Sequence, residues 1–220
     1  MKKLGVLALL CLSLCFTSCF ELIEQISMNA DGSGEMTITL NMHESKDKLQ
    51  QFMEMEDGMA GYKPPERKDM DAFFKKVVET VSKVDGISNV KSDIYYEDFI
   101  FSVSASFDDM ESMNTAVNNF TNGMSRGMMS FKNEYSYEDG IFKRAFQSPI
   151  PIGEYDKIPI VQRLILESAR IVNVYRFEKP VQDMSSTSAE LSHDAREARF
   201  ESTLSDIAKG VKTPANEIRF

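Results

Sequence analysis

The chain has 220 residues, 34 acidic against 25 basic side chains, a formal net charge of −9, and no tryptophan. An acidic balance without a basic stripe argues against nucleic acid as a partner and against electrostatic docking on anionic lipid. The length suffices for one sizeable domain or two small ones, with no need of a metal or a disulfide to hold the core.

Lys2 and Lys3 open the chain, and Leu4 to Phe16 is an uncharged run interrupted only by Ser13. Thirteen residues are too few for a stable membrane-spanning helix, which needs roughly 20. They fit the apolar region of a secretory signal. The run ends in Phe16-Thr17-Ser18-Cys19, which resembles the lipobox of bacterial lipoproteins, with Phe16 where that family prefers leucine. The resemblance implies cleavage before Cys19 and a diacylglycerol on its sulfur. Cys11, Cys15 and Cys19 are the only cysteines, so residues 1–18 take two of them and the mature chain keeps one, at its first position. An unpaired cysteine in an exported protein needs a reason, and lipidation supplies it. Acyl chains at ~0.8 kcal/mol per buried CH₂ make a durable anchor. The mature chain carries 23 basic and 34 acidic residues, a net charge of −11.

After Cys19 the pattern predicts a hairpin. Leu22, Ile26 and Met28 share one face, and Met36, Ile38, Leu40 and Met42 alternate with polar residues on the next strand. Asp31-Gly32-Ser33-Gly34 lies between them. The loop Asn29–Glu35 imitates half of an EF-hand, but the twelfth position is Leu40 rather than a bidentate glutamate, so a turn is the expected reading. A helix follows over Glu44–Glu56, with Leu49, Phe52 and Met53 on one side. Beyond Pro64-Pro65 comes a second, Asp69–Val84, with Phe73, Val77, Val81 and Val84 in a stripe. Gly86 stands where a helix-ending glycine is expected.

Next come strands over Val90–Tyr96 and from Phe99 to Phe107. A helix then carries Met110, Met113, Val117, Phe120 and Met124 at 3-4-3-4 spacing, and a hairpin follows over Phe131–Tyr137 and Ile141–Phe146. Helix plus hairpin thus occurs twice, with Tyr96-Glu97-Asp98 and Tyr137-Glu138-Asp139 at corresponding turns. Pro149, Pro151 and Pro159 interrupt the chain. Ile160–Ala169 is expected to be helical, Arg170–Phe177 a strand, Pro180–Ser188 a loop, and Glu197–Leu204 a last strand before a loosely held end. These elements predict an α+β fold, an antiparallel β-sheet built from hairpins with helices packed on one face. The expected organisation is a signal over 1–18, a domain over 19–179, and a partly flexible loop and last strand over 180–220.

Cys19-Phe20-Glu21-Leu22-Ile23-Glu24-Gln25-Ile26, the Asp31–Gly34 turn and its alternating threonine strand resemble a group of uncharacterised Bacteroidetes lipoproteins, as does Gly86-Ile87-Ser88-Asn89-Val90. With Pro180 and the Glu197–Asp206 segment, the layout also resembles the LppM-type lipoprotein domain, associated in mycobacteria with binding lipid or lipoglycan at the envelope. The resemblance implies an envelope lipoprotein that binds amphiphiles, and it brings no catalytic residues. Glu21 and Glu24 are split by apolar residues, which leaves periplasmic and surface-facing orientations both open.

Chemistry is sparse. His43 and His193 are the only histidines, and no free thiol survives to complete a zinc site. His193-Asp194 adjacency does not orient an imidazole as a catalytic triad requires. Ser45-Lys46-Asp47-Lys48 matches Ser-x-x-Lys without its companion motifs. Asp108-Asp109 and Glu138-Asp139 fall at a helix start and a turn, where acids are favoured. The positive feature is the methionine-rich helix, because thioethers suit varied apolar ligands. The absence of tryptophan argues against a sugar platform. The expectation is a non-enzymatic lipoprotein anchored at the outer membrane through Cys19, without cofactor or metal. Its candidate apolar-ligand residues are Met110, Met113, Val117, Phe120 and Met124; the alternative is an assembly partner of an envelope protein complex.

Overall fold

The computed structural model describes residues 20–54, 66–124, 132–148, 150 and 153–220. Strands β1 (Phe20–Met28) and β2 (Gly34–Asn41) form the first hairpin, pairing Leu22 with Leu40 and Ile26 with Met36. The Asp31 carboxylate accepts hydrogen bonds from the Ser33 amide (2.9 Å) and hydroxyl (2.7 Å), and Gly32 takes a φ of 91°. The loop is a turn between strands, not a helix-flanked cation loop. A Cβ on Gly34 would overlap the Ser27 carbonyl and the Phe107 ring, so only glycine lets these strands meet.

A 3₁₀ turn at His43–Ser45 leads into α1 (Lys46–Met53). Helix α2 (Arg67–Val81) buries Phe74, Val77 and Val81. The sequence stripe placed Phe73 inward, but Phe74 is the deeper ring. It stacks on Phe101 of the neighbouring strand at 5.8 Å and meets Phe73 edge-on. Val84 lies past the helix, in the turn closed by Gly86 at a φ of 77°.

Strands β3 (Ile87–Tyr95) and β4 (Ile100–Phe107) make the second hairpin, and α3 spans Met110–Met124. Asp109 starts α3, its carboxylate accepting from the Ser112 amide at 2.8 Å, as an N-cap does. β5 (Lys132–Glu138) and β6 (Ile141–Gln147) form the third hairpin. Then follow α4 (Ile160–Ser168), β7 (Ala169–Phe177), β8 (Asp183–Met184), β9 (Glu190–Leu191), β10 (Glu197–Thr203), α5 (Leu204–Ala208) and β11 (Asn216–Arg219).

The fold is α+β, and its strands divide between two sheets. The larger has the order β3-β4-β2-β1-β7-β10-β9, and the smaller β5-β6-β11-β8. Among the described residues all pairings are antiparallel except β1 with β7, which run parallel from Phe20 beside Ala169 to Met28 beside Phe177. The two helix-plus-hairpin units therefore part company: β3–β4 extends the larger sheet, and β5–β6 belongs to the smaller.

One face of the larger sheet carries the core. In its middle, Ile26, Met28, Tyr175 and Phe177 pack with Phe142 and Ile218 of the smaller sheet and Met113 and Val117 of α3. Toward the start of β1, Phe20, Leu22 and Ile171 meet Leu166 of α4 and Ile207 of α5. On the opposite flank Val77 and Val81 of α2 join Ala116 of α3, with Val103 and Ala105 against them. Asn114 on α3 clasps the edge strand β5: its Nδ2 donates to the Tyr135 carbonyl (2.7 Å) and its Oδ1 accepts from the Tyr135 amide (2.9 Å). A helix side chain here satisfies backbone groups that an edge strand otherwise leaves unpaired.

The C-terminal segment departs most from expectation. β10 is not the last strand, and the end is not loose. β11 pairs with β6 and β8, Ile218 is fully buried, and Phe220 stacks on Phe177 at 4.3 Å. Residues 180–220 thus supply strands to both sheets. β11 is four residues long, below what alternation can announce.

Candidate functional site

The residues expected to bind an apolar ligand lie on α3, and those whose side chains are described pack into the core. Met110, Met113 and Val117 are buried, Met113 to 1% exposure, and Phe120 is half-buried against the α2 flank. Met124 ends the helix, and its side chain is outside the described residues. Between Met113, Val117 and Phe120, Val81 of α2, and Met36 and Val103 of the sheet lies an apolar void of about 40 Å³. A dry cavity that admits benzene measures roughly 150 Å³. In this conformation the void holds no acyl chain. A ligand there requires α2 and α3 to part from β2 and β4.

The most chemically distinctive cluster lies between the two sheets. Glu24 shares a strand face with Leu22, Ile26 and Met28, yet its side chain is buried. Arg144 of β6 approaches it, Nη2 to Oε2 at 2.9 Å, with the two side chains 3% and 9% exposed. The Tyr135 hydroxyl donates to Glu24 Oε2 (2.8 Å), and the Tyr175 hydroxyl donates to Oε1 (3.0 Å) while accepting from Arg144 Nη1 (3.1 Å). Four residues from β1, β5, β6 and β7 thus close a network across the sheet interface. Asn173 and Asn216 are buried on the strands beside it, and neither Nδ2 has a protein partner.

The electrostatics suit a lock better than a reaction. Burial pushes both tyrosine hydroxyls well above their ordinary pKa, with the Glu24 charge adding to the effect. Burial opposes the charge of Arg144, but Glu24 and the tyrosine oxygens outweigh it and raise its pKa above the usual arginine value. Groups moved away from neutrality are poor at transferring protons near pH 7. What they do well is fix the two sheets in one relative position, since any shift would strand a charge in an apolar layer. Strand alternation could have flagged Glu24, an acid at a core position. Its partners lie 111 to 151 residues away in the chain, beyond any spacing rule.

The other sequence candidates stay apart. His43 Nδ1 lies 3.5 Å from Asp98 at the surface. The Asp194 carboxylate accepts from the Ser192 hydroxyl (2.6 Å) and the Arg196 amide, so it is engaged away from His193. Among the described residues no three histidine, cysteine or acidic side chains gather as a metal set. No helix among them is long and apolar enough to cross a membrane.

Cys19 itself lies outside the described residues, directly before Phe20. At this end of the sheet a cleft of about 590 Å³ is lined by Glu21, Asn41, His43, Glu44, Asp98, Ile100 and Arg170. Arg170 bridges Glu21 and Glu201.

No family model and no curated protein matches the chain. Among solved structures the chain is similar to the folded domain of the LppM protein of Mycobacterium tuberculosis, determined by NMR, at 12% identity and a TM-score of 0.46. The alignment covers 93% of this chain and 91% of that one.

Proposed function

We propose that this chain is a non-enzymatic lipoprotein of the bacterial envelope, exported, cut before Cys19 and held at the outer membrane by lipid on that residue. The observation that carries the reading is the signal pattern, Lys2-Lys3 and an apolar run ending at Phe16-Thr17-Ser18-Cys19. The test is the intact mass of the protein recovered from envelopes. A diacylglyceryl-cysteine terminus, lost together with membrane association in Cys19→Ser, supports the reading. A mature protein that begins elsewhere and carries no lipid refutes it.

The ligand of such a protein would be the apolar part of an amphiphile. It would enter between α3 and the sheet at Met113, Val117 and Phe120, where the void already lies. Native mass spectrometry of gently extracted protein tests this, since a co-purifying lipid-sized mass is expected. The void's small volume favours a second reading, an assembly partner within an envelope complex. A bare protein that crosslinks in cells to a defined neighbour would select that one.

A further inference from the structure

We infer that the end of the larger sheet where β1 begins is the membrane-facing surface of this protein, with the bilayer that receives the Cys19 lipid as its partner. The inference rests on the lipid-anchor reading above and adds an orientation to it.

Lipoprotein domains can stand off a membrane on a flexible linker, and here there is none to spend. Phe20 is already the first residue of β1, flanked by β2 and β7, with Ala169 beside it in the parallel ladder. Consecutive Cα atoms are about 3.8 Å apart, so the lipid-bearing residue lies within one such step of a strand fixed on both sides. The acyl chains must enter the bilayer, and the start of β1 must therefore lie at the headgroup layer.

Register then dictates what else lies there. Glu21 is opposite Asn41, where β2 ends, and Asn41 is opposite Ile100, where β4 begins. Tyr95 closes β3 beside Ile100, and Thr203 closes β10 beside Arg170. The His43–Ser45 turn, α1, the Tyr96–Phe99 turn and the first residue of α5 all follow from these strand ends. Arg67 at the start of α2 reaches the same place through its ion pair with Glu97 at 3.1 Å. Tyr95 and Met53 are exposed here, 56% and 42%, and the surrounding surface carries both signs of charge: Glu21, Glu44, Asp98 and Glu97 with Lys46, Arg67 and Arg170. A mixed polar surface with an aromatic suits a zwitterionic headgroup layer, and the tether supplies the affinity that net charge does not. The opposite end, with the Asn29–Ser33 turn, Lys83 and Lys179, is about 26 Å away along β7 at 3.3 Å per residue.

The test uses the full-length protein, lipidated in cells and reconstituted into phosphatidylcholine vesicles. With Cys19 consumed as a thioether, an introduced cysteine is the only free thiol. Asp47→Cys and Glu97→Cys report the near end, and Lys83→Cys and Lys179→Cys the far end, each carrying an environment-sensitive fluorophore. With headgroup-quencher lipid in the vesicles, the near labels should be quenched several-fold more than the far ones. A flexible Gly-Ser linker inserted between Cys19 and Phe20 should erase that difference. Equal quenching at both ends, a far-end preference, or no quenching of a protein whose mass includes the lipid overturns the orientation. A mass without lipid overturns the anchor itself, and the orientation with it.

Discussion

Replacing Arg144 by methionine tests the account of the buried cluster. The substitution removes the donor at 2.9 Å from Glu24 and the one at 3.1 Å from Tyr175, and leaves a volume close to that of the arginine stem. Glu24 keeps the two tyrosine hydroxyls at 2.8 and 3.0 Å but loses its countercharge while its side chain is only 9% exposed. Breaking one side of a buried pair typically costs about 3–5 kcal/mol. For a chain of this size, each kcal/mol moves the melting temperature by about 2–4 °C, so a fall of roughly 10 °C is expected. Adding Glu24→Gln removes the stranded charge while its amide oxygen still accepts a tyrosine hydrogen bond. The double variant should therefore recover at least about 1 kcal/mol relative to Arg144→Met alone, a coupling of the kind that double-mutant cycles detect. Urea titration of residues 20–220 by circular dichroism gives both numbers from midpoint shifts at constant slope. If Glu24→Gln lowers stability further in the Arg144→Met background, the pair does not act as argued.

Other consequences are as direct. Tyr135 and Tyr175 have pKa values raised by burial, so they stabilise the fold fully below pH 10, and that contribution is lost as the pH climbs from 10 toward their folded values. Ultraviolet titration should show both ionising only with unfolding, and Tyr96, pushed up to about 12 by burial and its hydrogen bond to Asp71, ionising late. Deleting residues 218–220 removes Ile218 and Phe220 from the core; losing a buried phenylalanine alone costs about 3–5 kcal/mol, so the truncated chain should be protease-sensitive at 37 °C, and a truncation as stable as the parent would contradict the packing described. Asp109→Ala should cost about 1 kcal/mol through loss of the α3 cap. Its hydrogen bonds to Ser112 lower the Asp109 pKa, so the benefit holds above the ordinary carboxylate range and vanishes as pH falls through the folded value; denaturation of parent and variant should converge in acid.

Local pattern determined a good deal of this protein. The period-two runs at Met36–Leu40 and Phe101–Phe107, the 3-4-3-4 methionine helix and the Gly-containing turns each appear where alternation and spacing put them, because each depends on neighbours within a few residues. On α2 the stripe holds at Val77 and Val81, but Phe74 lies deeper than Phe73, since the Phe101 ring on which Phe74 stacks belongs to another strand. Tertiary structure alone decided that β1 and β7 run parallel, that the hairpins divide between two sheets, and that β11 carries the chain's last residues into the core. It also turned Glu24 from an interruption in an apolar strand face into the centre of a buried network. The reason is the same in each case. Long-range pairing follows from how separate apolar faces can be covered together, and a buried charge is tolerated only where distant parts of the chain bring its partners within 3 Å.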